Sequence, residues 1–355
     1  MDIRQATRSY ETWLGRQTTI VRADLALKHR RMKESPFVFL RGTFYRWVEQ
    51  WPDVCASLRD APRVLAVGDL HVENFGTWRD VEGRLIWGVN DVDEACRLPC
   101  TQDLVRLATS AVLAVEARRF GVSVRAACEA VLDGYRSSLA RGGRPVVLAE
   151  RRRWLRDLAL NDLRDPVAFW AQFEHRPTVR GSAVPHRALR WLLPDPRPKY
   201  RTVRRVAGVG SLGRPRFVAL AEWKGALVAR EAKAAVPSAS AWAAETGSTT
   251  SLIARVLQRA VRVPDPFFGV RDGWIVRRLA PDCTRIELTD LPTRRDDLRL
   301  LRAMGWETAN VHLGSQTARR LAADVTRRPA RWLERAATDM SRSVTRDWRD
   351  WVKDV

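Results

Sequence analysis

Residues 63–103 read RVLAVGDLHVENFGTWRDVEGRLIWGVNDVDEACRLPCTQD, and the way this stretch folds decides how the rest of the chain is read. Arg63 to Val67 form a compact β-branched run that stops at Gly68, and Leu85 to Val89 form another. Two strands therefore flank the loop that holds GDLHVENFGTW, residues 68–78. The acids and amides of the stretch fall at the ends of strands, where backbone turns leave side chains free to converge. From Thr101 the pattern changes to helix, with Thr101 read as the N-cap and Leu104, Leu107, Ala108, Ala111 and Val115 at helical spacing.

N-terminal to this stretch, residues 5–34 read as one helix that stops at Ser35 and Pro36, followed by the apolar phrase FVFLRGTFYRW. Helical segments cover about 124–175, with a break at GGRP (142–145). Prolines and arginines in 176–204 mark a boundary near 198. Beyond it RRVAGVGSLG, RFVALAEW and ALVAREA read as three consecutive strands with Lys224 and Gly225 at a turn. A helix over 240–260 and a strand WIVRRL follow, and the tail from 293 is helical. This organisation predicts an α+β chain with a helical lobe over 1–197, a β-rich lobe over 198–290 and C-terminal helices over 291–355 that pack back on the first lobe.

The composition is that of an ordinary globular protein, with 45% hydrophobic and 29% charged residues. No run of eighteen apolar residues exists and the N-terminus lacks an apolar signal core, so the expectation is a cytoplasmic protein that does not enter membranes. Five scattered cysteines make no zinc pattern and read as buried thiols. The net charge of +21 invites a nucleic-acid partner. The charge is nearly all arginine and spread along the whole length, however, which favours a general arginine bias and affinity for phosphorylated ligands over a dedicated nucleic-acid surface.

In GDLHVENFG, Asp69 lies five positions before Asn74. This is the spacing by which a kinase-type catalytic loop places a base and a metal-binding amide on one turn. Asp91 follows at the end of the next strand, where a second Mg²⁺ ligand belongs, and Asp93 shares its strand face by period two. His71 reads as a loop-stabilising residue. Gly208, Gly210 and Gly213 form GxGxxG around Ser211, a weak pattern alone. Because a strand and not a helix follows, it reads as a hairpin over ATP phosphates and not as a dinucleotide fold.

The string GDLHVENFG resembles the HGDLHPGN loop of aminoglycoside and choline phosphotransferases, and NDVDEACRLPCTQDL resembles their following metal segment. The phrases KESPFVFLRGT, GDLHVENFG, NDVDEA, GVGSLG and TQDLVRLATS together resemble a bacterial family, domain of unknown function 2252, related to the kinase-like superfamily. The resemblance implies Asp69 as catalytic base, Asn74 and Asp91 as Mg²⁺ ligands, Asp103 as a buried brace of the loop, and ATP at Gly208, Gly210, Ser211 and Gly213. In the family a lysine in a phrase like VKEA meets the phosphates. Here VAREA puts Arg230 in that position, and Lys233, three residues on, falls on the opposite strand face. Glu245 is the one acid near the start of the following helix to pair with that cation. Lys33 and Arg41 are candidates for a substrate or phosphate contact, against ordinary surface charge.

Asp69 and Asp91 precede Gly208, whereas kinases run in the reverse order, so the expectation is a two-lobed protein-kinase-like fold that is circularly permuted. The expected activity is phosphoryl transfer from ATP to a hydroxyl of a small-molecule or protein substrate. The rivals are a nucleotide-binding pseudokinase and a basic nucleic-acid-binding protein on the same scaffold.

Overall fold

RFVALAEW carries apolar side chains at every position from Phe217 to Ala221, and such a strand needs cover on both faces. A computed structural model of the chain, which describes residues 1–148, 152–159, 165–195, 198–244, 252–283, 288 and 296–353, provides it. The strands are β1 (Arg63–Ala66), β2 (Phe75–Arg79), β3 (Leu85–Val89), β4 (Cys96–Pro99), β5 (Val146–Val147), β6 (Tyr200–Arg204), β7 (Arg216–Trp223), β8 (Ala226–Ala234), β9 (Phe268–Arg271) and β10 (Trp274–Leu279). They form antiparallel sheets in the orders β6-β7-β8-β10-β9, β2-β3-β5 and β1-β4. With the helices around them, the architecture is α+β.

In the five-stranded sheet Phe217 and Ala219 of β7 pack with Ala232, Val276 and the short helix His186–Trp191. Val218 and Leu220 point the other way, onto Val203, Ala229, Leu279 and Phe173. Two tight turns fix its register. Lys224 and Gly225 (φ 48° and 84°) join β7 to β8, and Asp272 and Gly273 (φ 51° and 76°) join β9 to β10. Positive φ at both turn residues matches the twist of an antiparallel pair.

The helix Cys100–Glu116 is buried from Cys100 through Ala114. Its N-cap is Pro99, not Thr101, whose hydroxyl instead donates to the carbonyl of Leu58 (2.9 Å). Around it pack Val124–Ala140, Asp297–His312 and Trp332–Lys353. The first two approach through glycine. A Cβ on Gly134 would lie 1.8 Å from the carbonyl oxygen of Arg302, and one on Gly305 2.0 Å from that of Val131.

Three expectations change. The N-terminal helix is two, Ile3–Gln17 and Arg22–Met32, because Thr18 to Val21 are four successive β-branched residues that favour extended backbone. The apolar phrase FVFLRGTFYRW, for which no element was expected, is helical, Pro36–Gly42 and Phe44–Val54. The strand expected across RRVAGVGSLG ends at Arg204, and the region 240–260 holds the short helices Ala239–Ala243 and Ile253–Arg259. All five cysteines are free and buried. Among the described residues no helix is long and apolar enough to cross a membrane.

Glu307, in the helix Asp297–His312, is buried against β3, where a Cβ on Gly88 would lie 2.5 Å from its Oε2. Burial pushes its pKa up to about 8, opposed by the Asn310 amide and by Arg262 and Arg152. A folded pKa above the unfolded one favours the fold while the group is protonated, so this contribution is full below pH 4.5 and is lost as pH rises towards 8. Glu307→Gln is therefore expected to match wild type near pH 4.5 and to exceed it by a few kcal/mol at pH 9, at about 1.4 kcal/mol per pKa unit. Urea unfolding across that range checks it, and parallel curves for the two proteins would refute it.

Candidate functional site

The loop after β1 is held by one carboxylate. Asp103, fully buried in the first turn of Cys100–Glu116, accepts from the backbone N–H of Val67 (2.7 Å) and Gly68 (2.9 Å). It also meets Nε2 of His312 (3.2 Å). Because the carboxylate only accepts, Nε2 carries the proton and Nδ1 accepts from the hydroxyl of Tyr135 (2.9 Å). Gly68 sits at φ 81°, and a Cβ there would lie 2.3 Å from the carbonyl oxygen of Glu94. The turn therefore requires glycine and sets where Asp69 begins.

Asp69 is oriented by Arg106, whose Nε donates to Oδ1 at 2.9 Å while Nη2 reaches the same oxygen. Burial pushes its pKa up to about 6, with Arg106 pulling the other way. Its Oδ2 faces the glycine turn, where a Cβ on Gly210 would lie 3.3 Å away. Asn74 is tied back by Nδ2 to the carbonyl of Asp69 (2.9 Å), and its Oδ1 is buried with no hydrogen-bond partner. The carbonyl of Asn74 accepts from the N–H of Asn90 (2.9 Å), so the next segment is placed relative to the first.

Asp91 Oδ1 accepts from the N–H of Asp93 (3.2 Å), and Lys233 Nζ lies 4.0 Å from it. Asp93 makes an ion pair with Lys233, and Arg214 Nη1 stands 4.0 Å off. Burial and the neighbouring Asp91 raise the Asp93 pKa to about 6, against Lys233. Glu94 accepts from Arg214 (2.7 Å) and from the N–H of Ala239 (2.7 Å).

Asp69, His71, Asn74, Asp91, Asp93, Gly208, Gly210 and Ser211 line one cavity, and Arg41 contributes to its wall while paired with Glu73. His71 Nδ1 accepts from the N–H of Glu73 (3.2 Å) within the loop. Gly208 and Gly213 take φ 74° and 97° on either side of a 3₁₀ turn, Val209–Ser211. The cavity volume is about 40 Å³, room for roughly three waters. A second cavity of about 80 Å³ shares Asp91 and Gly208 and is lined by Arg205, Arg216, Glu231, Lys233 and Arg277. Burial opposes ionisation of Glu231, but Arg216 and Arg205 outweigh it and hold its pKa well below the usual carboxylate range.

The expectations for Arg230 and Lys33 fail on geometry. Arg230 lies on the far face of β8, where Nε donates to the carbonyl of Leu192 (2.6 Å) and the guanidinium stacks 4.4 Å from the ring centre of Phe267. Odd spacing on the strand turns Lys233 toward the acids instead. Lys33 is not part of the cavity wall, and its carbonyl accepts from Trp348 (3.2 Å). Glu245 lies outside the described residues. The sequence reading missed Arg106, Arg214 and Lys28. Arg106 had a signal, as the one cation within the helix Cys100–Glu116.

Asn74 and Asp91 present hard oxygen donors, and the uncompensated Oδ1 of Asn74 fits a cation ligand. Among the described residues no three His, Cys, Asp or Glu side chains converge on a metal position.

A model of the family described as "Uncharacterized protein conserved in bacteria (DUF2252)" matches residues 20–164 and 201–354, and the chain belongs to that family. No curated protein and no solved structure matches it.

Asp103→Asn is expected to destabilise the protein by about 3 kcal/mol, because an amide NH₂ would face buried donors. Urea unfolding measures it. A loss under about 0.5 kcal/mol would mean that the carboxylate does not brace the loop.

Proposed function

We propose that this member of the bacterial domain of unknown function 2252 family is an ATP-dependent phosphotransferase with a two-lobed, circularly permuted protein-kinase-like fold. One observation carries the reading: Asp69, Asn74 and Asp91 line a single cavity that faces the turn at Gly208 and Gly210, and the buried Oδ1 of Asn74 has no partner. The order of the motifs supports permutation. The chain supplies the acids first and the glycine turn later, then returns through Asp297–His312 so that His312 reaches Asp103.

On this reading Asn74 and Asp91, with Asp93 beside them, hold Mg²⁺, which when bound neutralises charge on the nucleotide phosphates. Lys233, together with Arg205, Arg216 and Arg277 in the adjoining cavity, binds those phosphates. Asp69, fixed by Arg106, orients the acceptor hydroxyl and takes its proton. The acceptor oxygen bonds to the γ-phosphorus as the bond to the β,γ-bridging oxygen breaks, and ADP leaves with the electron pair. The acceptor is a hydroxyl of a small molecule or a protein.

Mg²⁺ and ATP together are expected to raise the melting temperature of wild type in salt high enough to screen surface arginines. Asp69→Asn is expected to keep that shift while single-turnover loss of the γ-phosphate falls by about 10²-fold or more. No shift in wild type would sink the nucleotide site. A shift with no turnover in wild type would make the protein a nucleotide-binding pseudoenzyme.

A further inference from the structure

Only six of the 62 basic residues are lysine, and two of the six, Lys28 and Lys233, are buried on the walls of the two adjoining cavities. Lys233 has Asp93 as its counter-ion. Lys28, 3% exposed on the helix Arg22–Met32, lies beside the stacked rings of Tyr10 and Tyr45, with Nζ 6.0 and 5.6 Å from their centres. Its hydrogen-bond contact is the carbonyl of Gly210 at 3.5 Å, long for an ammonium. Among the described residues no carboxylate lies within ion-pair distance of it. The other cations of this wall are spent, Arg214 on Glu94 and Arg41 on Glu73, and Arg106 behind it on Asp69.

A buried ammonium without a counter-ion opposes folding, and burial pulls this one down to a pKa of about 8. Methionine or leucine would fill the space beside the two stacked tyrosine rings without that penalty. The break at Thr18 to Val21 brings the helix here, because the N–H of Val21 donates to the carbonyl of Gly213 (2.8 Å) and so docks the helix on the glycine turn. What fits between Lys28, Gly210 and Asp69 is limited by the volume of about 40 Å³, on the scale of one tetrahedral phosphoryl group and far short of a nucleotide.

We propose that Lys28 is a phosphoryl-binding residue that grips the transferred group on the side of Asp69 opposite Lys233. This rests on the phosphotransfer reading. The nucleotide's remaining phosphates stay with Lys233, Arg205, Arg216 and Arg277, and the γ-phosphoryl passes Asp91 and Gly208 into the cavity where Lys28 completes its charge balance. An ammonium suits this position because it offers a compact charge to a group that changes partners, whereas a guanidinium is larger than the space.

The test uses the full chain as wild type, Lys28→Met and Lys28→Arg in high salt, with inorganic phosphate and with Mg²⁺ and ATP. Without ligand, Lys28→Met is expected to melt at or above wild type, the reverse of a residue kept for packing. Phosphate is expected to raise the melting temperature of wild type, to leave Lys28→Met unmoved and to raise Lys28→Arg by less. Mg²⁺ with ATP is expected to shift Lys28→Met less than wild type but still measurably, because Lys233 and the arginines keep the other phosphates, while hydrolysis of ATP by Lys28→Met falls at least 100-fold in kcat. Equal phosphate shifts and equal kcat in wild type and Lys28→Met would overturn the assignment. If wild type does not respond to Mg²⁺ and ATP, the phosphotransfer reading fails, and the phosphate comparison alone then decides whether Lys28 holds an anion.

Discussion

The carboxylate of Asp103 is the constraint from which the site's geometry descends. A buried carboxylate is tolerated only when its lone pairs are used, and here two successive backbone N–H groups and an imidazole N–H use them. Its place in the first turn of a helix adds the favourable field of the helix N-terminus. The consequence is positional. The end of β1, the central helix and the helix Asp297–His312 meet at one point, and the left-handed turn at Gly68 starts from there. Asp69 follows, Asn74 is tied to the carbonyl of Asp69, and Asn90 is tied to the carbonyl of Asn74. Asp91 inherits its position through that chain of bonds.

Much of this was legible because it is local. β1 and β3 were visible as β-branched runs, the turn between β7 and β8 as Lys224 and Gly225, and Asp103 only through the family resemblance of its phrase. The signals failed where the answer depends on distant chain. β4 is four residues ending in proline and exists as a strand because Val64 and Leu65 offer it partners. Strand periodicity separated Arg230 from Lys233 but could not say which face looks toward the acids. That is decided by the cover of β8, whose far face takes the carbonyl of Leu192 and the ring of Phe267. Lys28 was illegible because its surroundings, Tyr10, Tyr45 and Gly210, come from three separate segments.

The arginine excess is partly architectural. Arg262, half-buried, stands 4.4 Å from the ring centre of Trp78 and donates to the carbonyl of Val89 (3.3 Å), and desolvation lowers its pKa to about 10. Arg106 stacks on Phe44 and Trp47 at 5.0 and 4.9 Å while donating to the carbonyl of Leu40. A guanidinium can do this because its faces are weakly hydrated and its edge carries several donors. Net charge therefore overstates the charge offered to solvent, and it is poor evidence about partners in this chain.

The acidic segment Asn90 to Glu94 is also the latch between the five-stranded sheet and the loop that it faces. Lys233 reaches Asp93, Arg214 reaches Glu94, and Arg277 donates to Oδ1 of Asn90 at 2.7 Å. Cavities of about 40 and 80 Å³ hold waters and not a nucleotide, so on the phosphotransfer reading these ties must loosen for ATP to enter. Simple separation would strand buried charges on both sides and is strongly opposed. Exchange is not, because phosphate oxygens can replace Asp93 as the partner of Lys233 while a divalent cation replaces Lys233 as the partner of the acids. Closure and ligand binding then compete for the same atoms, and the free energy needed to open the cleft is offset in the act of filling it.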